Sequence, residues 1–383
     1  MKKSIVYLLL LCLLIGAVGL MPVSAQDRWD GADDLPTNPL DCPGAEAAAE
    51  GEATEEAMME EMPAYNGGQA VNPPDLAGQP IVLVDVPKLI GIGYFAATTQ
   101  GQQEAAAELG NVTVTTDAPT EANIDDQIAF IENYIAQGVN GILFAANDPV
   151  AIAPTLRSAL EQGIHVVGYD ANSEPDAREW FVNQAEFNGI GKALIDQMAE
   201  QEGEDASFAI VTSTFTTPNQ ARWIAEMQAY QEKCYPDMTW LSTLEAQEDN
   251  TLSFNQATTL INQYGDELDG IFGMTSVATP ASAEAVTQAG QCGAVSVVGL
   301  ATPNAMKPYV ESGCVTSVVL WNPVDLGYAS VYVMRAVVDG TLTPESTSVE
   351  AGRLGTLPVV NGSEILLGPP FIYNADNIND FDF

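Results

Sequence analysis

Residues 124–170 read IDDQIAFIENYIAQGVNGILFAANDPVAIAPTLRSALEQGIHVVGYD. Ile124, Ile128, Ile131 and Ile135 recur every three or four positions, the period that puts them on one helix face, so 124–138 is expected to be an amphipathic helix. The apolar runs GILFAA (141–146) and IHVVGYD (164–170) read as strands. Runs of the same kind stand on both sides: IVLVDVP (81–87), NVTVTT (111–116), FAIVTS (208–213), GIFGM (270–274), VSVVGL (295–300) and VTSVVLW (315–321). Strand and helix alternating from residue 80 onward imply an α/β fold with parallel sheets covered on both faces. The length of that region favours two lobes over one.

The chain carries 12 basic and 52 acidic residues, a formal charge of −40. Such a balance repels phosphate backbones and anionic membranes, so nucleic acid is not an expected partner. The first 25 residues combine Lys2 and Lys3, an apolar core from Tyr7 to Leu20 and the small-residue pattern Val23-Ser24-Ala25, which reads as a secretory signal peptide cleaved after Ala25. A periplasmic or extracellular protein is expected. Leu11 and Asp41 precede Cys12 and Cys42 where a lipid-anchor signal would need a small residue, and no later apolar run is long enough to span a membrane. Residues 26–79 are rich in alanine, glutamate and glycine and are expected to be a flexible acidic linker.

Cys42, Cys234, Cys292 and Cys314 remain after processing. Cys292 and Cys314 each precede a strand-like run, and neighbouring parallel strands would bring them together as a disulfide. No CxxC occurs and His165 is the only histidine, which is read as structural; no metal site and no cofactor are expected. The absence of GxSxG, HExxH, a P-loop and a complete GxGxxG argues against an enzyme.

In open α/β sheets ligands sit outside the carboxyl ends of the strands. The residues standing there are Lys88, Asn147 with Asp148, Asp170 with Asn172, Asn219 with Gln220, Thr275 with Ser276, and Trp321 with Asn322. Lysine is scarce: beyond the two at the N-terminus only Lys88, Lys192, Lys233 and Lys307 occur. One kept at the end of an apolar run, just before Tyr94 and Phe95, suggests a site, although Tyr94 and Phe95 would equally serve as core residues of the first helix. None of these groups pairs a nucleophile with a base. Planar Asp, Asn and Gln side chains can bridge neighbouring hydroxyls while an aromatic ring covers a C–H face, which suits a sugar.

The segments VPKLIGIGYF, DAPTEANIDDQ, AANDPVAIAPTLRSALEQGIHVVGYDA, TPNQARWIAEM, GLATPNAMKPYVESG, LWNPVDLGYAS and PFIYNADNINDFDF resemble the periplasmic solute-binding proteins of ABC importers. The similarity spans residues 80–383 and lies nearest the branch that holds autoinducer-2 receptors and rhamnose-binding proteins. It implies two Rossmann-like lobes, the type I arrangement, joined by a three-segment hinge near residues 184, 301 and 341. One lobe would combine 80–184 with 302–341, the other 185–301 with 342–383. By resemblance Lys88 matches the autoinducer-2 branch, Asp170 both branches, and Asn219 with Gln220 the rhamnose branch, while Met274 and Ser276 take positions that touch ligand. Ala301 stands where many ribose-type relatives carry aspartate, which argues against ribose. The implied function is monomeric capture of a rhamnose-type hexose or an autoinducer-2-type furanosyl compound for delivery to ABC permease subunits. The runner-up is a receptor for chemotaxis or quorum signalling that uses the same closure.

Overall fold

A computed structural model describes Leu35 and residues 37–44 and 63–383; the expected signal peptide and the middle of the acidic segment lie outside the described residues. In chain order the first strands and helices are β1 (Ile81–Val86), α1 (Gly93–Leu109), β2 (Val112–Thr116), α2 (Ile124–Gln137), β3 (Gly141–Phe144), α3 (Ala153–Glu161), β4 (His165–Tyr169) and β5 (Trp180–Asn183). There follow α4 (Phe187–Glu202), β6 (Ser207–Thr212), α5 (Pro218–Cys234), β7 (Thr239–Glu245), α6 (Asn250–Tyr264), β8 (Gly270–Gly273), α7 (Ala278–Gln288), β9 (Ser296–Gly299), α8 (Pro303–Glu311), β10 (Ser317–Leu320) and α9 (Pro323–Val338). The last strands are β11 (Ser348–Glu350), β12 (Thr356–Val360), β13 (Glu364–Leu366) and β14 (Phe371–Asn374).

Helix α2 forms where the isoleucine period lies. Asn123 accepts from the Asp126 N–H at its start, and Asp125 and Asp126 place negative charge at the positive end of the helix dipole. Ile131 is fully buried, and Ile124, Ile128 and Ile135 pack on the same core.

Two sheets result. The first has the order β11-β12-β13-β5-β4-β3-β1-β2, with β1 to β5 parallel. The second has the order β7-β6-β8-β9, all parallel, and β10 joins it through the parallel bridge between Leu300 and Val319, with β14 antiparallel on β10. Helices α1 and α9 cross with their backbones in contact: a Cβ on Gly101 would lie 1.8 Å from the Val324 carbonyl oxygen, and one on Gly327 1.9 Å from that of Thr98. Only glycine permits this approach.

The chain crosses between the sheets three times, and two crossings differ from those expected. The first lies between β5 and α4, after Asn183 and before Phe187. The second follows β10 instead of falling at residue 301, because α8 packs on α7 and β10 while α9 packs on α1 and β4. The third lies between β13 and β14 instead of at residue 341, because β11, β12 and β13 extend the first sheet from β5. Segment 302–341 is therefore divided between the two sheets, and so is 342–383.

The expected linker also differs where it is described. Residues 37–44 lie on α5: Cys42 is disulfide-bonded to Cys234, Lys233 Nζ donates to the Leu40 carbonyl at 3.0 Å, and the Asn38 N–H donates to Glu226 at 3.2 Å. Residues 63–79 lie on the first sheet and its helices. There Tyr65 donates to the Glu179 carbonyl at 2.9 Å, the Val71 N–H to that of Leu160 at 2.8 Å, and Arg335 to those of Leu76 and Gln79 at 3.0 and 2.9 Å. These specific bonds outweigh the low hydrophobicity of the segment. The disulfide expected between Cys292 and Cys314 is present. Among the described residues no helix is long and apolar enough to cross a membrane, and no cluster of His, Cys, Asp and Glu has the makings of a metal site.

Candidate ligand site

The carboxyl ends of the two parallel sheets face each other across a cavity of about 40 Å³, which is room for roughly three waters by volume. From the first sheet come Lys88, just past β1, and Asp170, just past β4. Both are deeply buried, at 4% and 2% exposed. Lys88 Nζ lies 3.0 Å from Asp170 Oδ2. Asp170 adopts φ 60°, a left-handed backbone that aspartate tolerates better than most residues. Its Oδ1 accepts from the Tyr94 hydroxyl at 2.8 Å, and that hydroxyl accepts in turn from Trp321 Nε1 at 2.9 Å. Burial, reinforced by the Asp170 charge, raises the Tyr94 pKa well above its ordinary value, so Tyr94 remains a donor.

From the second sheet come Asn219 and Gln220, in the first turn of α5. Asn219 Oδ1 accepts from Lys88 Nζ and Asn219 Nδ2 donates to Asp170 Oδ1, both at 3.4 Å, so the two sheets touch through this side chain. Gln220 is fixed from behind: its Oε1 accepts from Thr212 Oγ1 at 2.6 Å and from the Ser213 N–H at 2.8 Å, which leaves Nε2 toward the cavity. Met274 and Ser276 line the cavity beyond β8. The aromatic wall is continuous: Tyr94 meets Phe95 and Trp321 edge-on at 5.2 and 6.1 Å, and Trp321 meets Trp223 at 5.5 Å. Phe95 and Tyr94 are at once core residues and part of the cavity lining.

Nine of the ten expected site residues line the cavity. Asn147 does not: its Nδ2 donates to the Lys88 carbonyl at 2.9 Å and to Gln127 Oε1 at 3.1 Å, so its amide is spent bracing the loop behind Lys88. Asn172 and Asn322 are also used elsewhere, Asn172 on Arg178 Nε and Asn322 as the cap of α9. His165 is structural, with Nδ1 3.0 Å from Glu179 Oε2. Trp223, Glu248, Ile92, Leu300 and Leu320 complete the lining and had not been expected, while Thr275, which stands with Ser276 past β8, lines it as well. Trp223 was within reach of the sequence, since it follows Asn219 by four positions and so shares its helix face. Glu248 carries a second carboxylate into the cavity. Its pKa is raised, mainly by burial, against the pull of the Lys88 charge and of the Thr275 and Gln220 side chains.

Donors and acceptors thus alternate around a small space walled by rings, and no group is poised for attack on a bound molecule. Such an arrangement can hold a small polyhydroxylated guest.

Comparison with known proteins agrees with this geometry. The D-ribose/D-allose-binding protein of Pseudomonas aeruginosa is 26% identical over 205 residues, which cover 50% of this chain and 61% of that relative. The solved structure of a sugar ABC transporter from Actinomyces odontolyticus is 31% identical with a TM-score of 0.65, over 82% of this chain and 100% of that one. That of an ABC transporter solute binding protein from Clostridium phytofermentas, with bound L-rhamnose, is 27% identical with a TM-score of 0.73, over 79% and 98%. Residues 84–342 match the family described as periplasmic binding protein domain, and the chain belongs to that family.

Proposed function

We propose that this protein is the extracytoplasmic solute-binding component of an ABC importer, which captures one small neutral sugar between its two lobes and presents it to the permease. The observation that carries the reading is the convergence of Lys88, Tyr94 and Asp170 from one sheet with Asn219 and Gln220 from the other on a single aromatic-walled cavity. A guest held there contacts both lobes, so it favours the closed arrangement by its differential affinity for that state. Closure is the signal that the permease reads. A rhamnose-type hexose is favoured by Asn219-Gln220 and by the rhamnose-bound relative; Lys88 keeps an autoinducer-2-type furanosyl compound as the second candidate.

A thermal-shift screen tests this, because a ligand that binds only the folded protein raises its melting temperature. L-rhamnose, other hexoses, pentoses, polyols and autoinducer-2 form the panel. At least one is expected to raise the midpoint in a concentration-dependent way, and a flat response to all of them would overturn the proposal.

A further inference from the structure

We infer that Glu248 sets the chemical selectivity of the cleft: it is a second carboxylate, delivered from the second lobe, that admits neutral and ammonium-bearing sugars and rejects sugar acids. The inference rests on the reading of the cleft given above.

The turn after β7 is built to deliver this side chain. Gln247 and Glu248 are consecutive residues with φ 51° and 55°, a left-handed conformation that side-chain-bearing residues adopt only under constraint. The constraint is visible: the Ala246 N–H donates to the Thr212 carbonyl at 2.7 Å, the Gln247 N–H to that of Ser213 at 2.9 Å, and the Asp249 N–H to that of Ala246 at 2.8 Å. Asp249 spends its own carboxylate on the Leu252 N–H at 2.6 Å, as the cap of α6. Glu248 is left to point inward. Its Oε1 accepts from Gln220 Nε2 at 3.3 Å and the Thr275 side chain also stabilises its charge, whereas Oε2 is sealed from solvent, although the residue as a whole is only half-buried.

The charges lining the cavity do not balance. Lys88 is paired with Asp170 at 3.0 Å, so Glu248 is a carboxylate beyond that pair, with one oxygen sealed from solvent, in a cleft that is partly open. An enclosed acceptor of this kind needs donors. Sugar hydroxyls supply them, and an ammonium group supplies them with opposite charge. A ligand carboxylate supplies none, and it would stand as a third anionic group beside Asp170 and Glu248, where low polarity magnifies repulsion.

The test uses the mature chain at pH 8 and calorimetric titration with matched pairs: L-rhamnose and L-rhamnonate, D-ribose and D-ribonate, D-galactose and D-galacturonate. For each neutral sugar that binds, the acid is expected to bind at least about tenfold more weakly. Glu248→Gln, which keeps the size and removes the charge, is expected to raise the acid-to-neutral affinity ratio about tenfold. If Glu248→Gln fails to fold, Glu248→Ala is read for the same ratio. An acid as tight as its parent in the wild type, or a ratio unmoved by the substitution, overturns the inference and leaves the sugar-binding reading standing. If no neutral sugar binds, the reading of the cleft falls, and the role of Glu248 with it.

Discussion

The ion pair between Lys88 and Asp170 can be tested by a double-mutant cycle, since both residues belong to the first lobe and both side chains are almost wholly buried, at 5% and 3% exposed. In Asp170→Asn the new amide keeps an oxygen for Tyr94 and Asn219 but turns a donor toward Lys88 Nζ. Lys88 then retains Asn219 Oδ1, at 3.4 Å, and the attraction of the Glu248 carboxylate across the cavity, so a buried ammonium loses its ion-pair partner. The expected loss of stability is about 3–5 kcal/mol. Lys88→Met leaves the Asp170 carboxylate with two donors, the Tyr94 hydroxyl at 2.8 Å and Asn219 Nδ2 at 3.4 Å, and is expected to cost less, about 2–3 kcal/mol. The double variant removes both charges together, so its cost should fall short of the sum by about 2–3 kcal/mol. Urea unfolding at pH 7 reads all four corners, with equal slopes as the check that the folded states are comparable. Additivity to within about 0.5 kcal/mol would show that the two groups do not depend on each other, and would refute the reasoning.

Three further outcomes follow from the packing. Burial raises the Asp85 carboxyl to about 7, so the folded state holds its proton where the unfolded state has lost it. Stability from this group is therefore full below about pH 4 and is lost as pH rises toward 7, and Asp85→Asn should gain about 2–3 kcal/mol relative to wild type between pH 5 and pH 8; a difference constant with pH would count against it. Gly327→Ala, which sets a methyl 1.9 Å from the Thr98 carbonyl oxygen, should cost about 1–3 kcal/mol or more by thermal unfolding, and an unchanged midpoint would show that α1 and α9 can separate freely. The bond between Cys292 and Cys314 closes a loop with a sequence separation of 22, so replacing both by serine should cost about 3 kcal/mol; no change in urea midpoint would contradict this.

The parts of the fold that were legible in the sequence are those whose strands are buried on both faces. GILF in β3, HVVGY in β4 and GIFG in β8 are wholly buried, and they read as apolar runs for that reason. Strand β7 escaped notice because it lies at the edge of its sheet and is half-exposed, with polar Thr239, Ser242 and Thr243 breaking the run. Strand β5 is only WFVN and follows β4 without an intervening α-helix, and β11 to β13 are short additions, β13 parallel on β5 and the other two antiparallel beyond it. Each omission carried a consequence. Without β7 the turn that holds Glu248 could not be placed at a strand end, and without β11 to β13 the later hinge crossings were set too early. The strand-end rule located Lys88, Asp170, Asn219 and Gln220 because it concerns position. It misplaced Asn147 because it says nothing of which partner a side chain chooses, and there Gln127 and the Lys88 carbonyl claim the amide. Cys42 could not be paired from sequence, since the composition around it signals disorder while Lys233 and Glu226 hold it in place.

The most direct test places one substitution on each side of the cleft. The tightest-binding sugar of the thermal screen is titrated by calorimetry into the wild type, into Asp170→Ala and into Asn219→Ala, with circular dichroism confirming that each variant is folded. One site per chain is expected, with affinity reduced at least about tenfold in both variants, because each loses a buried polar partner to the same guest. Wild-type affinity in either folded variant would mean that the sugar is not held between the two lobes.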